Sequence, residues 1–244
     1  MKKIIPILLI AGASCNQPTS DEKKEVSKKD STSSTEKHKH HHGHGHGNAN
    51  EYMHEKSFDE LVANFESQDR IDYQQPDKVL EYLGNLKGKK VMDIGAGTGF
   101  FSFRMVEKGA EVIAADVNED FQKYISKKKD SLKISDDKLS LRKLPYDSPE
   151  LKNEEVDMVI IVNTYHHIEN RQDYFLKVKN GLKKGGRLVI IDFKKEETPV
   201  GPPVEMKLSP DEIMAELKAC GLGKTKLSED LLEYQYIIEF APLK

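Results

Sequence analysis

One stretch, Val91-Met92-Asp93-Ile94-Gly95-Ala96-Gly97-Thr98-Gly99, limits this chain more than any other. A short apolar run with a β-branched start, three alternating glycines and an apolar segment at helical spacing read as strand, tight turn and helix. Glycines at 95, 97 and 99 can take positive φ and leave the main chain bare, so a ligand can lie against it near a helix N-terminus. A dinucleotide fingerprint would place its third glycine three residues after the second, and here that position is Phe100, which weakens a dinucleotide reading. A second strand, Val112-Ile113-Ala114-Ala115-Asp116, ends in an acid about 20 residues downstream, where a carboxylate can take both hydroxyls of a ribose. The other reading of Asp116 is a cap on the helix that follows.

The pattern Asp93-x-Gly95-x-Gly97-x-Gly99, followed by Asp116, resembles motif I of the class I S-adenosylmethionine-dependent methyltransferases. The turn and strand Lys184-Gly185-Gly186-Arg187-Leu188 look like the same family, and the resemblance runs roughly from Phe58 to Leu243. It implies an α/β fold with a Rossmann-like, doubly wound sheet of seven strands, mainly parallel with one antiparallel edge strand, preceded by N-terminal helices. The alternation of strand and helix patterns after Lys87 points the same way. The resemblance also implies S-adenosylmethionine as cofactor, bound by Asp93, Gly95, Ala96, Gly97, Gly99, Asp116, Val117, Asp147 and Asn163. Asp147, in Tyr146-Asp147-Ser148-Pro149, stands near the adenine edge in this scheme, or is a turn-initiating Asp before Ser-Pro.

At 244 residues the chain has room for one domain with a good core and an added segment. The addition is expected at the front. Met1-Lys2-Lys3, the apolar run Ile4 to Ile10, and small residues ahead of Cys15 read as a signal peptide over residues 1–14. They resemble the lipobox of bacterial lipoproteins, with Gly12 where that family prefers leucine, and imply lipidation of Cys15. Residues 15–51 offer almost nothing to bury and are expected to form a disordered tether. Near its end stand His38, His40, His41, His42, His44 and His46, which can converge on Zn or Ni without a preformed site, or serve only as a soluble spacer. The methyltransferase domain is then expected over 52–244. The expected location is the cell envelope through the lipid anchor, or the cytoplasm if translation starts at Met53.

The formal net charge is −3 and no basic stripe interleaves with aromatics, so nothing in the sequence points to nucleic acid. Within the domain, the capping boxes Ser57-x-x-Glu60 and Ser209-x-x-Glu212 open helices. The segment Asp69 to Gln75 is charged without helical periodicity and reads as a loop, with Arg70 and Gln74 as possible contacts to substrate or to the cofactor carboxylate. The lysines at 127–129 read as a solvated helix end, and Cys220 as a buried hydrophobe. The run Val156 to Val162 is apolar enough for a central strand covered on both faces. Just after it, Tyr165, His166 and His167 are candidates to orient an acceptor or to take its proton, because imidazole titrates in the right range. Which of the two histidines faces the cleft stays open. The implied activity is methyl transfer to a small molecule, with the membrane as a second partner through the anchor. The competing reading is an inactive methyltransferase-fold lipoprotein that binds metal or a small ligand.

Overall fold

The computed structural model describes residues 56–243. The expected signal peptide, Cys15, the tether and the histidine tract lie outside the described residues. Three helices come first: α1 (Phe58–Phe65), α2 (Gln68–Gln74) and α3 (Pro76–Leu83). The chain then alternates β1 (Lys90–Ile94), α4 (Phe100–Glu107), β2 (Glu111–Asp116), α5 (Glu119–Ser131), β3 (Leu139–Lys143) and β4 (Val156–Val162). It ends with α6 (Arg171–Gly181), β5 (Leu182–Phe193), α7 (Pro210–Ala219), β6 (Leu222–Ser228) and β7 (Gln235–Pro242). Among the described residues, no helix is long and apolar enough to cross a membrane.

The seven strands form one sheet in the order β3-β2-β1-β4-β5-β7-β6. Neighbours from β3 through β5 pair in parallel, whereas β7 is antiparallel to β5 and to β6. The expected doubly wound, mainly parallel sheet is therefore present, with its antiparallel strand one position in from the β6 edge. Strand side chains alternate between faces, and this splits the core in two. Met92, Val159, Ile161 and Ile190 pack on one side, and Val91, Ile160, Val189 and Ile237 on the other. Register decides where the site lies. Ile94 is level with Ala115 and with Ile161, so the glycine loop, Asp116 and the segment after Val162 all leave the sheet at one end.

Both capping boxes are formed, at Ser57 with Glu60 and at Ser209 with Glu212. Helix α2 corrects the sequence reading of a charged loop. Ser67 accepts from the Arg70 amide as its N-cap, and Gln75 at φ 43° turns the chain directly into α3. Hydropathy misses this helix because the residue it buries is polar, Gln74. A smaller correction concerns the lysine run at 127–129. Lys129 is buried and pairs with Asp136, so only part of that run is solvated.

Arg142 at the end of β3 holds Glu155, just before β4, through two guanidinium nitrogens at 3.0 and 2.6 Å. This pair, helped by the Lys152 amide, holds the Glu155 carboxyl down at about 2. A carboxyl with a depressed folded value contributes stability above its unfolded value, and loses it as the pH falls toward the folded one. Urea melts of Glu155→Gln are thus expected to show a deficit against the parent at pH 7 that shrinks from about pH 4.5 downward. A deficit that stays constant with pH would remove the ion pair from the account.

Candidate functional site

The glycine loop carries the backbone that its composition demands, with φ of 75°, 55° and 78° at Gly95, Gly97 and Gly99. The Gly95 and Ala96 amides donate to the Ala115 carbonyl at 2.8 and 3.1 Å, which ties the start of the turn to β2. Asp93 does not face the cleft. It is buried at the end of β1 and accepts from the Ser102 hydroxyl at 2.6 Å, which anchors α4 behind the loop. Burial raises its carboxyl to about 6, against the pull of Ser102 and Arg70.

Asp116 stands across from the loop. One carboxylate oxygen accepts the Gly97 amide at 2.9 Å and the other accepts the Asn118 amide at 2.8 Å. Burial pushes its proton affinity up while these backbone donors oppose the shift. Each oxygen keeps a further lone pair, so the carboxylate is aimed and still able to accept. Next to it, from Val117 onward, opens a cleft lined by Gly95, Val117, Leu144, Tyr146, His167 and Tyr174 among others. Its walls are mainly apolar with few polar groups, the usual make-up of a small-molecule site. Asp147 is exposed and is not part of that lining, whereas its neighbour Tyr146 is.

The N-terminal helices close over the loop. The Phe65 ring lies where a Cβ on Gly97 would come within 3.2 Å of it, and it stacks on Phe121 of α5 with centroids 5.5 Å apart. The Arg70 guanidinium sits over Phe100 at 4.3 Å and donates to the Phe65 carbonyl at 3.2 Å. It is thus held beside the first turn of α4.

At the end of β4 the expected candidates separate. Tyr165 is fully buried, stacks on Phe175 and donates to Glu216 at 2.6 Å, a carboxylate that Arg171 also grips. Its place in the core corrects the reading of Tyr165 as an acceptor-orienting group. His167 lines the cleft, and burial together with the neighbouring His166 lowers it to about 4, so it is neutral near pH 7. His166 turns instead toward β5, with Nδ1 3.2 Å from Asp192. The side chains of His166 and Asp192 are only 7% and 4% exposed, and the two imidazole rings lie 4.3 Å apart.

Asn163, at φ 53°, uses its carboxamide within the protein. The Gln74 amide donates to Gln235 at 2.7 Å, Gln235 donates to Asn163, and Asn163 donates back toward Gln74 at 3.4 Å. This ring of three amides joins α2, β7 and the turn that carries the histidines. Next to it, the Phe193 ring is covered by Tyr73 at 5.8 Å and by Gly201 of the 198–203 loop. The buried Lys207 ties that loop down by donating to the Glu196 carbonyl and the Thr198 hydroxyl at 2.7 and 2.6 Å. Asp192, Gln235 and Thr164 were not singled out from the sequence. The one local sign available was Asp192 at the C-terminal end of a parallel strand, where such sheets place ligands. Among the described residues, no group of three or more His, Cys, Asp or Glu side chains is placed to hold a metal.

Against known proteins, residues 85–241 match the family described as a methyltransferase domain. A tRNA U34 carboxymethyltransferase from Hydrogenovibrio crunogenus is 34% identical over 119 residues, which is 47% of this chain and 35% of that protein. An uncharacterized methyltransferase from Schizosaccharomyces pombe is 29% identical over 131 residues, 52% of this chain and 45% of that one. The chain thus spans between about a third and a half of the length of these curated relatives. Among solved structures, a SAM-dependent methyltransferase from Aquifex aeolicus superposes with a TM-score of 0.69 at 25% identity, covering 76% of this chain and 98% of that one. Magnesium protoporphyrin IX methyltransferase from Synechocystis PCC 6803, solved with bound SAH, gives 0.59 at 17% identity over 80% and 95% of the two chains, a likeness of fold alone.

Proposed function

The chain belongs to the methyltransferase-domain family, and from that premise we propose that it methylates a small molecule, with the cofactor gripped between the glycine loop and Asp116. It is an S-adenosylmethionine-dependent methyltransferase. The single observation that carries the placement is the Asp116 carboxylate, oriented by the Gly97 and Asn118 amides beside an apolar cleft. A ribose diol suits those oxygens, and a flat base suits Val117, Leu144 and Tyr146. Arg70, beside the loop, is placed to meet the cofactor carboxylate, with its guanidinium over the Phe65 and Phe100 rings. When bound, S-adenosylmethionine supplies a methyl carbon made electrophilic by a sulfonium. The chain's share is to hold and orient, since proximity and alignment supply most of what such a displacement needs.

Two features support a small acceptor. The cleft walls are mainly apolar, with Val117, Leu144 and Ile168 among them, and the sequence shows no basic stripe. The tRNA substrate in the names of several relatives belongs to proteins of which this chain matches about a third. Calorimetric titration of the full chain with S-adenosylmethionine is expected to give one site per chain, and tritiated-methyl transfer to fractionated cell extract is expected to label low-mass products. Label recovered in tRNA would overturn the small-molecule reading. The alternative, an inactive fold, draws on Phe65 lying over Gly97 and Thr164 against Gly95, and an absence of binding heat would favour it. We further propose that Cys15 is lipidated and holds the enzyme at the cell envelope, and that the histidine tract binds Zn or Ni. Fatty-acid labelling lost in Cys15→Ala supports the anchor, whereas an unlabelled parent chain points to a cytoplasmic form starting at Met53.

A further inference from the structure

We infer that the acceptor is a protic nucleophile, an O–H or N–H group, and that His166, backed by Asp192, takes its proton during methyl transfer. The inference rests on the methyltransferase reading above and deepens it. A soft acceptor such as a thiolate or arsenite attacks through a lone pair that is already free and needs no base. Here the fold buries a carboxylate and an imidazole together at the carboxyl ends of β4 and β5, beside the turn whose His167 lines the cleft. Asp192 accepts from its own neighbour, the Phe193 amide, at 2.9 Å through one oxygen, and its other oxygen lies 3.2 Å from His166 Nδ1. A carboxylate at that nitrogen fixes the proton on Nδ1 and leaves Nε2 as the basic nitrogen, and it stabilises the imidazolium once formed.

Geometry also separates the two histidines. The rings lie 4.3 Å apart. His166 is the one in contact with Asp192, while burial keeps His167 neutral where it lines the cleft. In the step, the acceptor's lone pair forms the bond to the methyl carbon and its proton moves to His166 Nε2. The electron pair of the broken carbon–sulfur bond stays on sulfur. The imidazolium, paired with Asp192, then returns its proton to solvent. The other titratable groups that act on this dyad are His167, Lys207 and Tyr236, which reach it electrostatically from the same turn, from the segment after the 198–203 loop and from β7.

Two readouts test this on the full-length protein. In long-range ¹H–¹⁵N spectra of histidine-labelled protein at pH 8.5, His166 is expected as the Nδ1–H tautomer, with that preference weakened in Asp192→Asn. The Nε2–H tautomer in the parent would overturn the proposal whether or not any acceptor is found. Transfer of tritiated methyl is then measured to catechol, aniline, 2-mercaptoethanol and arsenite. Transfer to catechol or aniline is expected to fall about a hundredfold in His166→Asn, with the calorimetric affinity for S-adenosylmethionine within twofold of the parent. Transfer confined to 2-mercaptoethanol or arsenite, and unchanged in His166→Asn, would sink the dyad while leaving the methyltransferase reading intact. Loss of cofactor binding in the parent chain would instead sink that reading and leave the tautomer measurement standing.

Discussion

Asp116→Ala is expected to weaken S-adenosylmethionine binding at least about a hundredfold in a calorimetric titration, while the domain stays folded. The size follows from the two acceptor sites that the carboxylate still has to offer once the Gly97 and Asn118 amides are satisfied. A hydrogen bond to a charged group is worth about 1.5–3 kcal/mol, so two of them set a lower bound of roughly 3 kcal/mol, which is about two decades in affinity. Part of the loss comes from the loop itself, because the Gly97 amide no longer has a partner to hold it in place. Asp116→Asn separates the two contributions. It keeps one oxygen, but its NH₂ must then face either the Gly97 or the Asn118 amide, a donor against a donor, so its affinity should fall between parent and alanine variant. Circular dichroism and melting verify that each variant is folded. An alanine variant that binds as tightly as the parent would show that the nucleoside lies elsewhere in the molecule.

The position of Asp116 against the glycine loop was legible because its message is local. A strand, its terminal acid and a glycine loop one strand away are all written at short spacing, and parallel register brings them together. The two capping boxes and the apolar run of β4 were readable for the same reason. What the sequence hid depends on partners far apart in the chain. Gln235 meets Gln74 across 161 positions, and nothing near either residue announces a buried amide ring. Helix α2 is invisible to hydropathy because that ring, together with Arg70, does the packing that apolar side chains do elsewhere. The choice between His166 and His167 was closed to sequence reasoning, since adjacent residues in a turn point in different directions. The structure separates them by contact, His167 lining the cleft and His166 meeting Asp192. Strand β6 went unnoticed because an edge strand with Lys224 and Lys226 facing water has no apolar alternation to read.

The second large effect expected is the loss of about 3 kcal/mol or more of stability in Gly95→Ala, read as a lowered urea midpoint. Gly95 sits at φ 75°, a conformation that costs a residue with a Cβ about 1–2 kcal/mol. The new methyl would also come within 2.4 Å of both the Thr164 methyl and hydroxyl and 2.8 Å of its Cβ. Thr164 has little freedom to retreat, because its hydroxyl donates to the Val162 carbonyl at 2.9 Å and the next residue, Tyr165, is locked in the core. A second substitution divides the cost. Thr164→Gly removes all three clashing atoms and leaves the backbone strain, so the double variant should recover the steric part and retain a deficit of about 1–2 kcal/mol relative to Thr164→Gly alone. No recovery in the double variant would mean that φ alone sets the cost. A single variant as stable as the parent would mean that the turn tolerates a side chain, and that neither backbone strain nor the Thr164 contact is what requires glycine at this position.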